Sequence, residues 1–403
     1  MNYILHNAHI ITMDDTAEYQ NTDLLVANGK IARIAPHIEP YGIPVKDCTG
    51  KHLIPGLIDS HVHMDSSEIT EMLLACGITS CRNMWGFPET QTWRREIESG
   101  KRFGARVYST GPLIDGETYW EGSLVVRTPE EAEKAVVDTI NDGYEFVKTY
   151  PSIPRDAFLC LMDVANNLGI KVMGHGNYSV TFKELAELGY YTLEHSSCLP
   201  ENDEDILMLA ESGMWFCPTL VVGRTIEEYV HKNGDLKTTY HYDSMNDYWK
   251  RDWEKVTAWR KSLHRYDNLD YEAELERARL FVSHSDKILL GTDVPNPGVT
   301  GGYSVYEELV LMSEIFGMSP YRVLRTATVN AARCIGISEQ KGRLKVGMDA
   351  DVLVLDRDPL KDIKNAQSYC AVIKEGDWYD KSEMDQVLEK VKHYSEDYIQ
   401  PLM

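Results

Sequence analysis

Residues 56–63 read Gly56-Leu57-Ile58-Asp59-Ser60-His61-Val62-His63. An apolar run follows a Pro-Gly entry and closes on two histidines spaced i, i+2. Side-chain direction in a strand repeats every two residues, so both imidazoles point to one side. At the end of a barrel strand that side is the barrel axis, where two rings can share one cation. An isolated His-x-His is more often a pair of partly buried histidines than a metal site. The apolar strand ahead of it and the Pro55-Gly56 entry move the balance towards metal.

Working outward, the chain around this stretch alternates strand and helix patterns, the signature of a parallel sheet with crossover helices. Eight strand candidates can be counted, at 57–63, 78–84, 106–111, 146–150, 171–175, 191–196, 215–220 and 288–293. Helical patterns separate most of them, such as 128–141 with Pro129 in its first turn and 154–168 ending at Gly169. Eight strands favour a closed (β/α)8 barrel over an open sheet, and barrel chemistry gathers at the C-terminal strand ends. The segment 221–287 is longer than one crossover needs. Its Tyr, Trp and charged residues predict extra helices over the barrel mouth.

Both ends of the chain have a different texture. Short β-type runs with a hairpin signal at Asn28-Gly29 fill the first 55 residues. Similar runs return late, with a turn at Glu375-Gly376-Asp377. The expected organisation is a small β-sandwich built from residues 1–55 and 341–380, flanking a barrel at 56–340. Residues 381–403, charged and periodic, form a C-terminal helix or tail.

Three further residues end apolar runs as the two histidines do, and a fourth lies within one. His175 closes the fifth strand, His195 the sixth and Asp293 the eighth, while Lys148 lies inside the fourth, Phe146-Val147-Lys148-Thr149-Tyr150. Alone, Asp293 would more often be a helix cap, and each histidine a satisfied core residue. Together, four imidazoles and a carboxylate would cost several kcal/mol to desolvate without a cation or buried partners. That donor set suits zinc, and less selectively manganese, cobalt or iron. A protonated lysine cannot ligate, but burial beside cations lowers its pKa, and the neutral amine can take up carbon dioxide as a carbamate. The competing reading of Lys148 is a salt bridge to a buried acid.

Composition excludes several classes. The 403 residues carry a formal charge of −22, which repels nucleic acid and anionic membranes. No run approaches the roughly 18 apolar residues of a membrane helix, and the N-terminus reads as a strand rather than a signal peptide. The eight scattered cysteines include no Cys-x-x-Cys pair and suit a reducing, cytoplasmic setting.

The pattern resembles the amidohydrolase superfamily, in particular its imidazolonepropionase-like and prolidase-like branch of Xaa-Pro and Xaa-Arg dipeptidases. The likeness rests on GLIDSHVH (56–63), FVKTYPS (146–152), the two later histidines, GTDVPNPG (291–298) and SVYEELVLM (304–312). It extends to TATVNAARCIGI (326–337) and GRLKVGMDADVLVLDRDPL (342–360), and so covers essentially the whole chain. The resemblance implies two divalent metal ions, zinc by expectation. His61, His63 and Asp293 would hold the more buried ion and His175 and His195 the second, with carboxylated Lys148 bridging them. It implies a carbon–nitrogen hydrolase cleaving an amide of a small peptide-like or N-acyl amino acid substrate by a metal-bridging hydroxide, with Asp293 as catalytic base and acid. Arg224, Tyr119, Trp120 and Tyr303 are the candidate substrate contacts. Expected partners are a small-molecule substrate and further copies of the chain in a homo-oligomer, with no nucleic acid or membrane. A cyclic amide hydrolase, a mononuclear deaminase and a non-enzymatic scaffold that has lost its metals remain alternatives on the same fold.

Overall fold

The chain opens with β1 (Tyr3–Ile11), β2 (Glu18–Ala27), β3 (Lys30–Ala35), β4 (Val45–Asp47) and β5 (His52–Pro55), of which β1, β2 and β5 supply most of the buried residues. Leu5, Ile10, Val26, Leu53, Val354 and Ile373 are among the residues of one core there. The computed structural model describes residues 1–15, 18–118, 120, 122–264 and 266–393. The Asn28-Gly29 and Glu375-Gly376 pairs both have positive φ (52° and 76°, 51° and 85°), the geometry of a tight two-residue hairpin turn.

The central strands are β6 (Leu57–Val62), β7 (Ile78–Asn83), β8 (Arg106–Asp115), β9 (Leu124–Val125), β10 (Phe146–Thr149), β11 (Lys171–Gly174), β12 (Thr192–Glu194) and β13 (Trp215–Cys217). Seven of them form a nearly closed parallel sheet in the order β6-β7-β8-β10-β11-β12-β13, with β9 beside β8. Strands β6, β7, β10, β12 and β13 are buried along their whole length, which is why they read as continuous runs rather than alternating ones. This is the expected barrel of alternating strands and helices.

The last strands, β14 (Val352–Leu355), β15 (Tyr369–Lys374) and β16 (Asp377–Asp380), return to the first sheet. There β14 pairs antiparallel with β5, giving a separate sheet in the order β16-β15-β14-β5-β1-β2-β3 built from both ends of the chain.

Crossover helices follow the expected signals. Thr128 caps Pro129–Asn141 in a reciprocal capping box with Glu131, and Arg155–Leu168 stops at Gly169 in the left-handed conformation. The long insertion supplies Asp247–Ser262 and Tyr271–His284. Near the C-terminus, helix Lys381–Val391 buries Met384, Leu388 and Val391. Residues 394–403, where the rest of the expected tail falls, lie outside the described residues.

The eighth strand departs from expectation. Residues 288–293 form no continuous strand and join their neighbours through bridges at Ile288–Phe216 and Val294–Val62. The cause is local. Thr292 gives its N–H to the Asp59 carboxylate at 3.1 Å instead of to a ladder partner, and Asp293 turns to φ 67°. The segment still spans the gap, since Phe216 N donates to Lys287 O and Ser60 N to Leu290 O. Two other strands end early. His195 adopts φ 69°, and Pro218, which has no N–H to give, is followed by Thr219 at φ 46°. Among the described residues no helix is long and apolar enough to cross a membrane. All eight cysteines are free.

Candidate metal centre

Six side chains named from sequence converge on the barrel mouth. His61 and His63, two apart on β6 and its end, hold their rings 5.3 Å apart. His195 lies 4.8 Å from His61 and 4.7 Å from His175, ring centre to ring centre. Donor atoms of His61, His195 and Asp293 all fall within 4.8 Å of one another. A cation about 2 Å from each donor would draw them to roughly 3–4 Å.

The contacts are close without being hydrogen bonds. His63 Nε2 is 2.9 Å and His61 Nε2 3.3 Å from Asp293 Oδ1. Yet Asp293 Oδ1 and His61 Nε2, along with His63 Nδ1, His175 Nε2 and Lys148 Nζ, are buried with no hydrogen-bond partner. Buried polar atoms are normally paired. The orphaned His61 Nε2 and Asp293 Oδ1, 3.3 Å apart, are what a shared cation would satisfy.

Backbone makes the room. Gly174 on β11 runs so close to β10 that a Cβ there would sit 2.1 Å from Thr149 O and 3.1 Å from Lys148 Cδ. Only glycine lets the lysine stem cross beneath His175. At Gly291 a Cβ would meet Cys217 Sγ at 2.4 Å and His61 Cβ at 2.7 Å.

Outside the six, a set of residues not singled out from sequence orients them. His61 Nδ1 is hydrogen-bonded to Glu194 Oε2 at 2.8 Å, which leaves Nε2 facing the centre. Glu194 also accepts from Arg82 at 2.8 Å and from the Thr192 hydroxyl. His195 Nδ1 pairs with Thr219 Oγ1 at 2.7 Å. Asp59 accepts the N–H of His61 and the N–H and hydroxyl of Thr292, tying β6 to the closing segment. Such outer partners fix ring orientation and tautomer. The sequence signal for Glu194 was its place beside His195 at a strand end. For Arg82 it was a cation inside an otherwise buried strand.

The amidohydrolase family profile matches residues 52–378. The chain belongs to the amidohydrolase family. An adenine deaminase of Moorella thermoacetica is 22 % identical over 358 residues, covering 84 % of this chain and 52 % of the deaminase. The chain thus spans about half the length of that curated relative. Among solved structures, the bottromycin amidohydrolase superposes with a TM-score of 0.76 at 21 % identity, covering 99 % of this chain and 94 % of that one. A Xaa-Pro dipeptidase with methionine bound in its active site gives 0.75 at 18 % identity, covering 94 % and 100 %. At these identities the structural likeness speaks for the fold.

The electrostatics of this amidohydrolase fit divalent cations. Burial pulls the imidazole of His61 down to about 4, that of His195 to about 3, and that of His175 well below its ordinary value, so the rings are neutral donors at pH 7. Burial would raise the Asp293 carboxyl, but positive charge at the adjoining His61, His63 and His195 rings would outweigh it and lower the group below the usual carboxylate range. Burial also lowers the Lys148 ammonium, although the Glu194 and Asp293 carboxylates oppose this. Lys148 is fully buried, and the alternative salt bridge is absent among the described residues. Its Nζ lies 5.7 Å from the centre of the Tyr150 ring. Neutral imidazoles and a carboxylate form a donor set that suits cations, and Lys148 would join it only as a neutral amine or its carbamate.

Above the centre lies a cavity of about 790 Å³ whose lining includes Tyr150, His175, His195, Thr219 and Asp293. Of the candidate substrate contacts, Trp120 lines it and donates from Nε1 to the Tyr150 hydroxyl at 3.0 Å. Tyr119 lies outside the described residues. Arg224, expected to face a substrate carboxylate, is instead ion-paired to Glu307 at 2.7 Å and is not part of the cavity wall. Tyr303 also lies off the cavity, stacked on His241 at 3.9 Å. Both sit where elements pack against each other, and local sequence does not distinguish that from a rim position.

Proposed function

We propose that this amidohydrolase is a metal-dependent hydrolase of amide bonds in small peptide-like or N-acyl amino acid substrates. The observation that carries the reading is Lys148, a fully buried lysine whose Nζ has no hydrogen-bond partner, in the same barrel mouth as the closely spaced rings of His61, His195 and His175. His61, His63 and Asp293 would hold one divalent cation and His175 and His195 a second. Lys148 would span them once its amine has added to carbon dioxide and released a proton, becoming an N-carboxylate. When bound, two such cations supply Lewis acidity and bring the pKa of water towards neutrality.

The chain's own residues do the rest. Asp293, an acceptor beside three imidazoles, takes the proton of the attacking water and hands it to the leaving amine. Glu194 keeps His61 in one tautomer throughout. Tyr150 and Trp120 wall the cavity beside His175 and limit water around the scissile bond. The Xaa-Pro dipeptidase likeness supports a peptide-like substrate.

The test is a panel of dipeptides, N-acyl amino acids and lactams against zinc- or manganese-loaded protein, run with wild type and Asp293→Asn. Hydrolysis of a linear amide should fall roughly 100- to 10,000-fold in the variant, with metal content falling far less. Turnover of lactams alone would establish a cyclic amide hydrolase instead. Asp293→Asn at full rate would remove the acid–base role.

A further inference from the structure

Acidic side chains dominate the charged lining of the cavity, with Asp115, Glu117, Glu201, Glu274 and Asp293 all contributing. The one Arg or Lys among its described lining residues is Arg260, on helix Asp247–Ser262. It is only 6 % exposed. Its recorded partner among the described residues is Asn296 Oδ1, a neutral amide, and none of the recorded ion pairs there includes it. A guanidinium carries five N–H donors and does not release its charge, so burying one without an anion is costly.

The position is held from several sides. Trp253 on the same helix donates from Nε1 to Pro295 O at 2.7 Å, and Trp249 donates to Asp65 Oδ2 at 2.9 Å. Asn296, the amide that Arg260 grips, donates from Nδ2 to the main-chain oxygen of Asp293 at 2.8 Å. The guanidinium is therefore two hydrogen bonds from the backbone of the residue that closes the metal centre.

We propose that Arg260 binds the free carboxylate of the substrate, so that the enzyme takes amides of amino acids whose α-carboxylate lies a few bonds from the scissile nitrogen. This rests on the hydrolase reading above. The planar fork of arginine matches a carboxylate with two parallel hydrogen bonds. The acids on the remaining lining repel an anion elsewhere, so its position fixes which end of the substrate meets Asp293. Arg260 takes the role that sequence suggested for Arg224, whose charge is already met by Glu307.

The experiment compares N-acetyl-L-amino acids with their carboxamides as substrates for metal-loaded wild type, Arg260→Ala, Arg260→Lys and Asn296→Ala. Calorimetry measures the binding of L-methionine and L-methioninamide to the same proteins. Wild type should prefer the carboxylate by roughly 10- to 100-fold in kcat/KM. Arg260→Ala should lose that preference through KM and bind L-methionine more weakly by a similar factor. Arg260→Lys should recover part of both. Asn296→Ala, which keeps the cation, should retain the preference. Equal turnover of carboxylate and carboxamide by wild type would overturn the proposal. So would a variant that lost both substrates and its metals together, since that marks a purely structural arginine. If wild type cleaves neither substrate, the hydrolase reading fails, while the calorimetry still decides whether Arg260 holds a carboxylate.

Discussion

Glu194 shows how far one carboxylate can reach. Fully buried, it faces His61 with one oxygen and Arg82 with the other, and the Arg82 charge together with the His61 hydrogen bond holds it well below the usual carboxylate range despite its burial. Glu194→Gln should therefore act twice. It should lower metal affinity roughly 10- to 100-fold by freeing the His61 ring. It should also lower stability by several kcal/mol, because Arg82 is left buried beside a neutral amide. Equilibrium metal titration and thermal denaturation of metal-free protein read the two effects separately. Equal metal affinity in variant and wild type would mean that the His61–Glu194 contact does not tune the centre. The six candidate ligands were legible in sequence because each sits in, or directly after, a strand-like run, and that is a local property. Glu194 and Arg82 carried only a weak local signal, and Asp59 and Thr219 none. Their importance lies in partners up to 133 or 233 positions away.

Elements place these residues, and one contact between elements sets a pH dependence. Glu308 on helix Tyr303–Phe316 is fully buried and accepts the N–H groups of Leu220 and Val221 at 2.9 and 2.8 Å. Burial pushes its carboxyl up to about 8. The unfolded chain gives up this proton near 4.5 and the folded chain near 8, so folded protein loses stability as pH climbs through that interval. Glu308→Gln carries no such proton. Its melting temperature relative to wild type should rise steadily from pH 4.5 to 8 and level off above. A constant difference across that range would show that Glu308 titrates as it does in water. Strands β6, β10 and β11 were legible because an apolar run between turn signals is enough to define a buried parallel strand. The eighth strand was misread because Thr292 bonds to the Asp59 carboxylate, a tertiary choice its own sequence does not reveal. Arg224 and Arg260 lie in or beside the same Tyr-, Trp- and charge-rich insertion. Only the fold tells the cavity residue from the one paired to Glu307.

At the scale of the molecule, the two-ended sheet packs β14 against β5 immediately before the chain enters β6. Gly56 N donates to Asp351 O there, so the late strands steady the entry to the His61–His63 strand. The net charge of −22 leaves the cavity a local affair, set by the few groups that line it. The proposed function depends on distant residues acting as one chelate. The direct test is an anomalous-difference map at the zinc edge, from crystals grown with zinc and bicarbonate. Two peaks about 3.5–4 Å apart are expected, one against His61, His63 and Asp293 and one against His175 and His195, with added density on Lys148 Nζ between them. A plain Lys148 side chain with one peak or none at those residues would contradict the account.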